Sequence, residues 1–218
     1  LVAPLIHREE VQYVKAFSDS LGGPGFPVVL YEIKESGVIF YSEKYQVIAV
    51  PAKHRVTAWS YCFIEADRRG RFYPEKAKEL GVPRGELWGR LHSGESVMVD
   101  DRIIEPNLVS GPTRSGRKIV YSGDTAPNSE LLELSRGADL LIHESTFLDE
   151  LADRAEEDGH TTALQAAELA KEAEVKQLVL THLSSRYPDP SVVLEEAKTV
   201  FDNVVVAEDF LEINIELE

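Results

Sequence analysis

Three residues with metal-binding side chains stand just after apolar runs. His54 follows Val47-Ile48-Ala49-Val50-Pro51-Ala52-Lys53, Asp124 follows Ile119-Val120-Tyr121-Ser122-Gly123, and His182 follows Leu178-Val179-Leu180-Thr181. Two imidazoles and a carboxylate form a borderline donor set suited to Zn²⁺. Groups at strand ends of a layered α/β fold converge on one edge of the sheet. Taken singly, each has a plain reading: a histidine satisfied at a strand end, or an aspartate in a Gly-Asp-Thr turn. Two more histidines flank this set. His143 lies in Leu141-Ile142-His143-Glu144-Ser145-Thr146, at the end of another apolar run. His160 lies in Gly159-His160-Thr161-Thr162, where an imidazole ahead of a helix can contact an anion bound there. His7 and His92 stand in polar contexts and read as surface residues.

The elements that must position these groups follow from the hydrophobic pattern. Residues 8–20 read as an amphipathic helix broken by Gly22-Gly23-Pro24-Gly25. Apolar runs over 28–33, 38–41, 45–50 and 58–64 read as close-spaced strands in antiparallel meanders. From residue 118 the pattern alternates, with strands over 119–121, 139–143, 177–181 and 204–206. The helices between them fall over 129–135, 162–172 and 191–200. Such alternation implies α/β layering. Thr161 or Thr162 can cap the helix that follows His160, and Pro190-Ser191 opens the next.

Residues 67–99 differ in character. They are rich in Arg and Lys and interrupted by Gly70, Gly81, Pro83, Gly85, Gly89 and Gly94, with a short helical piece over 75–80. The stretch reads as an excursion from the main domain, poorly placed to make core. The 218 residues carry a net charge of −15, which argues against a generic nucleic-acid coat. Its distribution is uneven: residues 123–218 hold 23 acidic and 6 basic side chains, whereas residues 67–92 hold 7 basic and 4 acidic. A locally basic segment on an acidic body can steer toward phosphate. The lone Cys62 sits in an apolar run, excludes an internal disulfide and reads as a buried, inert thiol. No apolar run approaches the length of a membrane span.

The ordered motifs together resemble one family. They are Val50-Pro51-Ala52-Lys53-His54, Ser122-Gly123-Asp124-Thr125, Leu141-Ile142-His143-Glu144-Ser145-Thr146-Phe147, Gly159-His160-Thr161-Thr162, Leu180-Thr181-His182-Leu183-Ser184-Ser185-Arg186-Tyr187 and Ala207-Glu208-Asp209-Phe210. This set looks like RNase Z of the metallo-β-lactamase superfamily, and the stretch from Gly70 to Gly85 is similar to that family's flexible arm.

The resemblance implies an α/β fold, a metallo-β-lactamase-like αββα sandwich over 1–218 with 67–99 as an inserted tRNA-binding arm. It implies a short-form, zinc-dependent endoribonuclease cleaving precursor tRNA on the 3′ side of the discriminator to leave a 3′-hydroxyl. By the same resemblance, His54, Asp124 and His182 are metal ligands for two Zn²⁺ per intact site. His160 protonates the departing ribose oxygen or contacts the scissile phosphate, and Glu144 orients it. Gly70, Arg71, Lys76, Lys78, Gly81, Pro83, Arg84 and Gly85 grip the tRNA elbow. A cytoplasmic homodimer with no membrane association completes the expectation. The family's His-x-His-x-Asp-His motif occurs nowhere in the 218 residues. It is expected to precede Leu1, with the opening residues a point inside a longer chain. Alternative readings are a non-catalytic tRNA-binding half and a general metallo-phosphodiesterase of the same superfamily.

Overall fold

The computed structural model describes residues 32–217. The helix expected over 8–20, most of the strand expected over 28–33, and His7 lie outside the described residues. The chain runs through β1 (Gly37–Tyr41), β2 (Tyr45–Pro51) and β3 (Trp59–Glu65), then α1 (Pro74–Glu79), α2 (Glu86–His92), β4 (Val97–Val99) and β5 (Arg102–Ile104). It continues as β6 (Lys118–Tyr121), α3 (Ser129–Ser135), β7 (Leu140–Glu144), α4 (Ala152–Asp158), α5 (Ala163–Glu172), β8 (Leu178–Thr181), α6 (Ser191–Lys198) and β9 (Val204–Val206). Residues 32–64 with 117–215 form one compact unit, and Glu65–Gly116 form a second.

In the first unit a seven-stranded sheet has the order β1-β2-β3-β6-β7-β8-β9 among the described residues. β1 pairs antiparallel with β2, and β3 antiparallel with β6. From β6 to β9 the pairing is parallel. The parallel half reads as continuous apolar runs such as Leu178-Val179-Leu180, because helix cover buries it. Parallel strands also end on the same edge, so the residues that follow β6, β7 and β8 emerge together.

One apolar core joins these strands to three helices. Val120, Leu141, Leu178, Leu180 and Val204 pack with Leu131 of α3, the alanines of α5, and Val193 and Ala197 of α6. Full burial of each of the three leucines contributes roughly 1.5–3 kcal/mol. α5 presents Ala163, Ala166, Ala167 and Ala170, all wholly buried. The spacing i, i+3, i+4, i+7 puts them on one face, and their small size lets the helix backbone lie close to the sheet. Its start is fixed by a capping box: Thr162 Oγ1 accepts from the Gln165 backbone N–H, and Gln165 Oε1 accepts from the Thr162 N–H. Thr162 is thus the cap among the two candidates.

Period-two alternation puts Leu141 and His143 on one face of β7 and Glu144 on the other. His143 is fully buried, and its Nδ1 lies 2.7 Å from the Glu144 carbonyl oxygen. Burial holds this imidazole below its ordinary value of 6.5. Cys62 is also fully buried, and burial pushes its thiol up to about 11, as an inert core cysteine requires.

The second unit corrects the expectation that this stretch makes little core. Ala77, Val82, Leu91, Val97, Ile104 and Val109 are buried together, with Phe72, Leu87 and Trp88 against them. Its glycines interrupt elements but leave these apolar positions intact, and the β4–β5 hairpin extends it past residue 99. The α2 helix and the hairpin carry only three to seven residues each, too short for periodicity to register.

Two outcomes are expected. Ala167→Leu overpacks the contact of α5 with the sheet and costs about 1–3 kcal/mol in urea unfolding. His143 takes up a proton more readily unfolded than folded, so stability is lost as pH falls below about 6.5. In metal-free protein the urea midpoint of His143→Gln falls less steeply between pH 7.5 and 5 than that of the parent; parallel curves would place that titration elsewhere.

Candidate active site

Four loops join the segment that follows β7 at the edge where β6, β7 and β8 end. The first follows β6 and turns at Gly123, whose φ is +61°. A Cβ there would stand 2.7 Å from the Trp59 carbonyl oxygen, so the turn that presents Asp124 requires glycine. The second follows β2. Lys53 bridges to Ala126, accepting its N–H at 2.8 Å, and the Lys53 N–H donates to Thr125 Oγ1 at 2.9 Å. His54 is thereby set beside the third loop, between α4 and α5.

There Gly159 caps α4 in the left-handed region at φ +76°. Its carbonyl accepts from His54 Nδ1 at 2.7 Å, and a Cβ on Gly159 would stand 3.0 Å from that same nitrogen. With its proton on Nδ1, His54 keeps the Nε2 lone pair free for a ligand. Arg55 and Asp158 form an ion pair across the same junction. The fourth loop follows β8, where His182 adopts φ +55°. Histidine tolerates this region better than most residues, and such conformations gather at functional sites.

At the centre is Glu144, 1% exposed. Its Oε1 accepts from the Thr125 N–H at 2.9 Å and from His160 Nδ1 at 2.8 Å. Its Oε2 accepts from the Thr146 N–H at 3.2 Å and from Thr146 Oγ1 at 2.7 Å. Four donors occupy the acceptor sites of one carboxylate, so Glu144 acts here as acceptor alone. Thr146 Oγ1 also lies 2.8 Å from His182 Nδ1. The rings of His54 and His160 approach to 4.9 Å, and those of His160 and His182 to 5.3 Å. His182 Nε2 stands 3.7 Å from Asp124 Oδ2.

All five residues expected to act at one centre are therefore neighbours. Glu144, His160 and His182 each offer a donor atom within 4.8 Å of the others. In that trio the Glu144 oxygens are already occupied by protein donors. Among the described residues that group includes neither His54 nor Asp124: Asp124 Oδ2 is 3.7 Å from His182 Nε2, and His54 approaches the ring of His160. Thr125 and Thr146, which hold the carboxylate, were not legible as site residues. A hydroxyl in a run such as Ser145-Thr146 carries no signal until its partners are placed. His143 faces the core and meets the Glu144 main-chain carbonyl, not its carboxylate.

In the second unit Arg71, Lys76, Lys78, Gly81, Pro83, Arg84 and Gly85 are exposed, with Lys76 Nζ 4.7 Å from the Tyr73 ring centre. Gly70 is the exception. It is buried, and a Cβ there would fall 1.9 Å from the Gly111 carbonyl oxygen, so it lets two backbones touch and offers a ligand no surface.

Residues 108–183 match the beta-lactamase superfamily domain. The chain is 42% identical to ribonuclease Z of Archaeoglobus fulgidus over 214 residues, covering 96% of this chain and 70% of that relative. It is 48% identical to ribonuclease Z of Gemmatimonas aurantiaca and 47% identical to that of Nitrosopumilus maritimus. Those alignments each cover 88% of this chain, and 62% and 64% of the respective relatives. Human tRNase Z, short form, superposes with a TM-score of 0.59 at 22% identity, covering 99% of this chain and 67% of that one. A metallo-β-lactamase fold protein of Bacillus subtilis gives 0.55 at 18% identity, covering 95% and 63%. The chain thus spans roughly two thirds of the length of its curated relatives and has the metallo-β-lactamase fold. On the breadth of the Archaeoglobus match, it belongs to the ribonuclease Z family.

Proposed function

We propose that this chain carries the leaving-group side of a nuclease site that cleaves precursor tRNA on the 3′ side of the discriminator, leaving a 3′-hydroxyl. The observation that supports it most directly is the His160–Glu144 couple beside His182 and Asp124. Glu144 accepts a hydrogen bond from His160 Nδ1 and fixes its ring, so the imidazolium form presents its second proton, on Nε2, outward. As the phosphorus–oxygen bond to the ribose breaks, His160 delivers that proton to the departing 3′-oxygen. In the same pose its N–H meets the negative charge of the scissile phosphate. His54, Asp124 and His182 would hold the metal, which we read as zinc, two per complete site. Bound there, divalent cations lower the pKa of water and neutralise charge developing on phosphoryl oxygens.

The Glu65–Gly116 unit serves in this reading as the tRNA-binding arm. Exposed Arg71, Lys76, Lys78 and Arg84 supply backbone phosphate contacts, which position an RNA recognised by shape. A cytoplasmic homodimer is the assembly that the family resemblance implies. Among the described residues no helix is long and apolar enough to cross a membrane. The basic stretch over 67–92, with 7 basic and 4 acidic side chains, supports contact with a polyanion, although the Glu65–Gly116 unit as a whole is balanced and the chain carries −15.

A paired assay tests both halves. Removal of residues 70–90 is expected to weaken precursor-tRNA cleavage while hydrolysis of a small phosphodiester persists; equal loss of both would sink the arm assignment. His160→Ala is expected to lower tRNA cleavage by about 10²–10⁴-fold, the usual range for loss of a general acid. An unchanged rate would remove His160 from the chemistry. Elemental analysis supplies the third check, with metal lost from Asp124→Ala and His182→Ala but retained in Lys78→Ala.

A further inference from the structure

The hydroxyl of Thr146 stands between two imidazoles and a carboxylate, 8% exposed, and has one proton to give. Its distances are 2.7 Å to Glu144 Oε2, 2.8 Å to His182 Nδ1 and 3.2 Å to His160 Nδ1. We propose that Thr146 is a positioning residue that fixes His182 in the tautomer protonated at Nδ1, and thereby aims the Nε2 lone pair at the cation site.

The direction of each bond follows from counting protons. If the hydroxyl donated to His182, its oxygen would face Glu144 Oε2 at 2.7 Å with no hydrogen between two acceptors, a repulsive contact in a buried place. The proton therefore goes to Glu144, and the hydroxyl oxygen is left as acceptor. At 2.8 Å its partner must then be a donor, which puts a hydrogen on His182 Nδ1. A neutral imidazole protonated at Nδ1 is bare at Nε2, the atom 3.7 Å from Asp124 Oδ2. His160 lies nearer to Glu144 Oε1 and gives its Nδ1 proton there. One buried carboxylate thus sets two tautomers, that of His160 directly and that of His182 through a hydroxyl.

The backbone prepares this geometry. Ser145 N–H donates to the Thr181 carbonyl at 2.9 Å, which ties the loop after β7 to the end of β8. The left-handed φ of His182 then turns its ring back over Thr146.

The inference rests on His182 as a metal ligand of the proposed nuclease, and its test is independent of cleavage. Histidine side-chain ¹⁵N–¹H spectra of the metal-free 218-residue chain above pH 7.5 report the tautomer of each ring. His182 is expected to be protonated at Nδ1 in the parent and in Thr146→Ser, and to shift toward the Nε2-protonated form in Thr146→Val. Zinc affinity by chelator competition is expected to fall about 10–100-fold in Thr146→Val, the usual effect of losing a partner behind a metal ligand, and to recover in Thr146→Ser. A parent His182 protonated at Nε2, or a tautomer indifferent to Thr146→Val, overturns the proposal. The first of these outcomes needs no variant, so a folding defect in Thr146→Val leaves the proposal open to refutation. The expected tautomers without tRNA cleavage by a metal-loaded protein that also carries the His-x-His-x-Asp-His motif would instead count against the nuclease reading alone.

Discussion

A buried carboxyl group is costly unless its oxygens are fully hydrogen-bonded, and Glu144 meets that condition with donors from three separate segments. Thr125 comes from the loop after β6, Thr146 from the loop after β7, and His160 from the approach to α5. None of these segments can shift without leaving an oxygen short of a partner. The carboxylate therefore acts as the common reference for the edge of the sheet. The Gly123 turn, the Lys53–Ala126 bridge and the Thr162 cap each deliver a segment to it. Removing Glu144 would leave four donors from those three segments without their acceptor, a larger disturbance than the loss of one charge.

Much of this arrangement could be read from residue order. β6, β7, β8 and β9 announce themselves as short apolar runs, and parallel strands must finish on one edge. Hence Asp124 and His182 could be assigned to a common place without coordinates, and the alternation of helices fixed the layering. α3 begins at Ser129 as expected, with the Asn128 side chain accepting from the Glu130 N–H, and α6 begins at Ser191, directly after Pro190. The alanine face of α5 also follows from spacing, although its closeness to the sheet does not.

What escaped the sequence is equally physical. The Glu65–Gly116 unit draws its core from single apolar residues scattered among charges, such as Ala77, Val82 and Leu91, so no window of composition marks it. The α4 helix (Ala152–Asp158) is mostly charged, and a polar run gives periodicity little to detect. The roles of Thr125 and Thr146 depend on partners between 2 and 72 residues away. His143 shows the opposite difficulty. Its neighbour in the chain is central to the site, yet the alternation of β7 turns it into the core, where it meets the Glu144 carbonyl instead.

Gly159 joins two tasks that would ordinarily fall to different residues. It ends α4 in the left-handed region, and its carbonyl orients His54. A mutational scan judged by side-chain chemistry would pass over it, since it has no side chain to lose. Yet any substitution strains the cap and presses on the imidazole at once. The resulting phenotype would mimic deletion of a ligand in a protein whose ligands are all intact. Genetic lesions at this position would then be misread as folding defects, or as evidence for a ligand that does not exist.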